Sequence, residues 1–125
     1  LNDIINDLKS NDPKLLDDLI STVVTIKKGD EDFKNETSII NYGNPNTIYW
    51  NYYRTIRDSD VVSNLVDAFF KFLESRRNSK SVYRIRLNDG DCLINNDVQS
   101  LHAREGFVVT EEGGRSLLQS MWTKM

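Results

Sequence analysis

Residues 87–123, LNDGDCLINNDVQSLHAREGFVVTEEGGRSLLQSMWT, govern how the rest of the chain is read. Asn88-Asp89-Gly90 is a turn signal. Cys92-Leu93-Ile94 reads as a short buried strand, Leu101-His102 opens a second, and Glu112-Gly113-Gly114 closes the loop into a third. On that third strand Arg115, Leu117, Gln119 and Met121 share one face, because strand side chains alternate with period two. The stretch holds the only histidine of the chain, His102. Taken singly, a strand histidine is more often structural, and an arginine opening a strand is more often an ion-pair residue. Together, an imidazole and a guanidinium on neighbouring strands of one sheet suit a metal ion beside an anion.

These residues also carry a resemblance. Gly90-Asp91, Leu93-Ile94, Leu101-His102-Ala103-Arg104-Glu105-Gly106-Phe107 and Gly114-Arg115-Ser116-Leu117-Leu118-Gln119 resemble the C-terminal half of the iron(II)/2-oxoglutarate-dependent dioxygenases. The group they look most like is the taurine dioxygenase, clavaminate synthase and γ-butyrobetaine hydroxylase-like superfamily. Its signature runs roughly G-D-x-L-x-x-D-N, L-H-G-R-x-x-F and R-x-L-Q, and the resemblance covers about the last third of the chain. It implies that His102 is the distal histidine ligand of an iron(II) ion and that Arg115 grips the far carboxylate of the co-substrate 2-oxoglutarate. Arg104, two residues after His102 and so on the same strand face, is implied as a supporting residue. No residue is assigned as a catalytic acid or base. The implied activity is oxidation, usually hydroxylation, of a small molecule such as an amino acid or a derivative, with release of succinate and carbon dioxide. Some relatives with anionic substrates place a second arginine four residues after the first. Here Gln119 stands there, so a strongly anionic substrate group at that point is not supported.

The chain departs from the family at three places. The Asp-Asn pair ahead of the histidine is Asn96-Asp97, and the glycine after it is Ala103; neither position carries the family's core chemistry. The third departure is larger: a facial triad of two histidines and one carboxylate needs a second imidazole, and the upstream His-X-Asp or His-X-Glu motif is absent. The chain begins at Leu1 inside a helical pattern. The expectation is therefore that residues 1–125 are the C-terminal part of a single jelly-roll domain, with the upstream ligands on a preceding segment or a second chain. The rival expectation is a non-catalytic or split jelly-roll fragment acting in assembly or ligand binding; a cupin-like barrel with another metal reaction stands third.

Composition narrows the partners. A length of 125 residues suffices for one domain with a real core. The net charge of −3 offers no basic footprint for nucleic acid. No apolar run approaches the roughly 20 residues that span a bilayer, and no signal-peptide pattern opens the chain, so no membrane partner is expected. The single cysteine, Cys92, excludes an internal disulfide framework and suits a reducing, cytoplasmic setting, where it is expected as a small buried hydrophobe.

Upstream of the signature, Leu1, Ile4, Ile5 and Leu8 mark one helix face, and Asp12-Pro13 start a second helix with Leu15, Leu16, Leu19 and Ile20 inward. Asn11 to Leu16 also resembles a scaffold helix of the family. Residues 21–26 are β-branched and extended, and residues 27–36, charged and carrying Gly29, read as a loop. Residues 38–42 and 47–53, separated by Gly43-Asn44-Pro45-Asn46, read as a hairpin. Its Tyr49 and Asn51 could face a pocket, although plain sheet packing is the commoner role. Ser59 caps the clearest helix, whose Val62, Leu65, Val66, Phe69, Phe72 and Leu73 form a stripe for packing against a sheet. Residues 81–87 alternate as a further strand. The expected fold is mainly β with flanking helices: part of a double-stranded β-helix, or jelly-roll barrel.

Overall fold

The computed structural model of the chain describes residues 1–27, 29 and 33–104. In these, three helices surround two short sheets: α1 (Asn2–Asn11), α2 (Pro13–Ser21), β1 (Val23–Lys27), β2 (Lys34–Ser38), β3 (Ile40–Asn41), β4 (Thr47–Ile48) and α3 (Asp60–Ser75). β1 pairs antiparallel with β2, and β3 antiparallel with β4.

The helices follow their local signals. Asp12 ends α1, where its N–H donates to the Leu8 carbonyl at 2.8 Å, and starts α2, where its side chain accepts from the Leu15 N–H at 3.1 Å. Pro13 occupies the first helical position, where no N–H is needed. Ser59 caps α3 by accepting from the Val62 N–H at 3.2 Å. Asp12→Ala and Ser59→Ala are each expected to cost about 1 kcal/mol, measured as a fall in the urea midpoint with an unchanged slope. An unchanged midpoint would mean that these caps contribute nothing.

The apolar stripes meet in one core. Ile5 and Leu8 of α1, Leu15, Leu16 and Leu19 of α2, and Val62, Leu65, Val66 and Phe69 of α3 are buried with Val24, Ile39, Ile40 and Ile48. α2 is the central element: it packs on α1, on α3 and on strands β2 and β3. Trp50 is half-buried and stands edge-on to Phe69, with ring centroids 4.8 Å apart and planes at 82°, a favoured aromatic geometry. Arg76, at the end of α3, turns back to pair with Asp7 of α1 and donates to the Ser81 hydroxyl at 2.7 Å. No described helix is long and apolar enough to cross a membrane.

The strands differ from expectation in instructive ways. The expected loop 27–36 instead contributes the start of β2, whose Lys34-Asn35-Glu36-Thr37-Ser38 lacks apolar alternation; main-chain pairing to β1, with Val23 opposite Ser38 and Lys27 opposite Lys34, makes it a strand. The expected strand 38–42 is broken by a bend at Ile39. Ile39, at that bend, and Ile40 beside it are both fully buried, which a regular strand with one solvated face would not allow, because neighbours point to opposite faces. The hairpin turn at 43–46 is present, but β4 stops at Ile48. The cause is Asn51: its side-chain oxygen accepts from the N–H groups of Tyr53 and Arg54 at 3.1 and 3.0 Å, and its carbonyl accepts from Thr55, forming a turn. Residues 54–56 then run beside β1, with Lys27 N–H donating to the Arg54 carbonyl and Ile56 N–H to that of Thr25.

The expected strands at 81–87, 92–94 and 101–102 are not strands here: no β-ladder among the described residues includes positions 81–104. The turn between the first two is as read, with Asp91 N–H donating to the Asn88 carbonyl at 3.0 Å and Gly90 at φ +88°, a backbone region that glycine enters without penalty. Its arms are open to solvent: Ile94 is 90% exposed and Tyr83 83%. Cys92, expected to be buried, is exposed. A period-two pattern says which face a strand would bury, but only a hydrogen-bonded neighbour makes it a strand. The third expected strand, 115–121, lies outside the described residues, as does most of the signature that implied the jelly roll.

Candidate functional site around His102

His102 sits at the end of a tightly bonded turn. The Asn96 carbonyl accepts from the Gln99 N–H, the Ser100 N–H and the Ser100 hydroxyl at 3.1, 3.0 and 2.7 Å. Its side-chain oxygen accepts from the Val98 N–H at 3.3 Å, while its amide donates to the Gln99 side chain at 2.9 Å. This is the behaviour that makes asparagine a turn former. Two long-range bonds fasten the turn to the body. The Ile48 N–H of β4 donates to the Val98 carbonyl at 2.8 Å, and the amine of Leu1 donates to the Gln99 carbonyl at 2.9 Å. Leu101 packs against the core and anchors the chain directly before the histidine.

The side chains of residues 102–104 face solvent. The His102 imidazole is 68% exposed, and its Nδ1 lies 3.7 Å from Oδ1 of Asp97. The same oxygen accepts from the Asn95 amide at 3.1 Å. Arg104 is exposed as well. Arg115 and Gln119 lie outside the described residues, so of the expected imidazole and guanidinium only the first is placed.

Imidazole and carboxylate are donor types suited to iron(II), but two groups do not complete a site. Among the described residues no three of His, Cys, Asp and Glu converge on a point that could hold a metal ion. His102 therefore fits an iron site only as one ligand of several. Asp97 was not singled out for chemistry in the sequence: a spacing of five residues has no fixed meaning in an irregular segment, and only the turn brings its carboxylate back to the ring.

Two other polar groupings stand apart. A shallow depression of about 470 Å³ is lined by Asp3, Asn6, Asp7, Arg76, Lys80, Ser81 and Tyr83; neither His102 nor Arg104 is among them. The second grouping is Arg57, whose guanidinium donates to Asp67 at 2.8 Å and to the Ser63 hydroxyl at 3.2 Å and lies over the Tyr52 ring, with Tyr52 also donating to Asp67. The hydrogen bond from Arg57 holds the Asp67 carboxyl below the usual carboxylate range. A lowered carboxyl value means that the pairing stabilises the fold at and above that range, and that this stability is lost as pH falls below it through the lowered folded-state value. Arg57→Ala should return the Asp67 titration, followed by carboxyl NMR, toward its ordinary value; an unmoved titration would show that the pair does not form in solution.

No family model matches the chain, and neither a curated protein nor a solved structure was found to be significantly similar to it.

Proposed function

We propose that this chain forms part of an iron(II)/2-oxoglutarate-dependent oxygenase acting on a small molecule, with His102 as one iron ligand and Arg115 as the clamp for the distal carboxylate of 2-oxoglutarate. The observation that carries the proposal is the Leu101-His102-Ala103-Arg104 sequence following a fastened turn: a half-buried leucine packed on the core, then an exposed imidazole with a carboxylate beside its Nδ1. Arg104 is assigned a supporting part, and the domain is assigned as a portion of a jelly-roll barrel. The remaining two iron ligands come from outside the described residues, on this reading. Bound iron(II) and 2-oxoglutarate would supply the oxidising chemistry; this chain would position and shield them.

The test is substrate-dependent release of succinate from 2-oxoglutarate, with iron(II) present, by the protein carrying this chain. Release that vanishes in His102→Ala and Arg115→Ala supports the oxygenase; release unaffected by both rules it out. A second reading is a non-catalytic fragment serving in assembly or ligand binding. A protein that never converts 2-oxoglutarate with any substrate offered would support it.

A further inference from the structure

We propose that Asp97 is a positioning residue for His102, and that Asn95 in turn orients Asp97. The proposal rests on the oxygenase reading for its purpose but not for its test. Asp97 Oδ1 accepts from the Asn95 amide at 3.1 Å and faces His102 Nδ1 at 3.7 Å. Closing that gap by roughly 0.7 Å brings the pair to the ordinary N–H···O distance. Both side chains are more than half exposed, which leaves room for the movement. The backbone beneath them is restrained by the bonds from Ile48 and Leu1 to the carbonyls of Val98 and Gln99. Asp97 and His102 are thus presented from one fastened turn while their side chains adjust.

A carboxylate at Nδ1 settles which nitrogen carries the hydrogen. With the gap closed, Nδ1–H donates to Asp97, which leaves the lone pair on Nε2. Metal-bound histidines are oriented in this way by a carboxylate or carbonyl on their other nitrogen. The side-chain relay Asn95, Asp97, His102 therefore selects Nε2 as the ligand atom.

The tautomer is read directly from ring 1H–15N correlation spectra of the 125-residue chain without metal, at alkaline pH where imidazoles are neutral. The expected result is a majority of Nδ1–H in the parent and a majority of Nε2–H in Asp97→Ala. A parent with mostly Nε2–H, or an Asp97→Ala ring identical to the parent, overturns the proposal. Asn95→Ala should lower the Nδ1–H fraction; a ring matching the parent overturns the part assigned to Asn95. Far-UV circular dichroism of each variant verifies the fold. In the succinate assay, Asp97→Ala should raise the iron(II) concentration for half-maximal release about 10–100-fold, and an unchanged requirement counts against the link to metal. A protein that never releases succinate but shows the Nδ1–H ring sinks the oxygenase reading alone.

Discussion

Phe69→Ala is expected to destabilise the chain by about 3–5 kcal/mol, a large share of the roughly 5–15 kcal/mol that holds an ordinary domain together. Phe69 is fully buried and is among the largest such side chains in the core. It stands edge-on to Trp50 and is stacked near Phe72 at 6.1 Å. Deleting its ring removes the transfer free energy of the lost atoms and leaves a cavity, because α3 is fastened at its start by Ser59 and at its end by the Arg76–Asp7 pair, and so is poorly placed to collapse inward. The urea midpoint should fall with the slope unchanged, and the melting temperature should fall by roughly 10 °C or more. Val61→Ala on the same helix is the control: Val61 is 67% exposed, so its replacement should stay within about 0.5 kcal/mol. A Phe69→Ala loss no larger than the control's would mean that the stripe of α3 does not meet this core.

On the oxygenase reading, the second large effect is functional and differs between the two assigned residues. Arg115→Ala removes a bidentate, charge-assisted pair to a carboxylate. At about 1.5–3 kcal/mol for hydrogen bonds to charged groups, the affinity for 2-oxoglutarate should drop roughly 10- to 150-fold. The loss should appear mainly in the KM for 2-oxoglutarate, with iron affinity kept. His102→Ala removes a ligand atom, so it should lower iron affinity and succinate release together, and added 2-oxoglutarate should not rescue it. Arg115→Lys keeps the charge but not the fork, and should recover only part of the loss. If Arg115→Ala left the KM for 2-oxoglutarate unchanged, Arg115 would not be the clamp. Equal iron affinity in the parent and His102→Ala would remove His102 from the metal.

The candidate site was legible in part. His102, Arg104 and Arg115 could be picked out because residue identity and spacing within a signature are written in the chain. Asp97 and Asn95 could not, since the part proposed for them depends on a turn that folds a carboxylate back over five residues. The burial of Ile39 and Ile40 together was hidden for the same reason: a bend, not a period, places them. Asn51 stands on the strand face that could line a pocket, yet its side-chain oxygen closes the turn after Trp50.

The amino-acid sequence by itself determined the three helices, their caps at Asp12 and Ser59, and the residues they bury, because helix hydrogen bonds close within four residues and the apolar period shows which face turns inward. Tertiary structure alone decided that polar Lys34–Ser38 is a strand while, among the described residues, no ladder includes 81–87 or 92–94. A strand's hydrogen bonds are made to a neighbour distant in sequence, and β1 supplies that neighbour to β2, whereas no described strand pairs with the arms around Gly90.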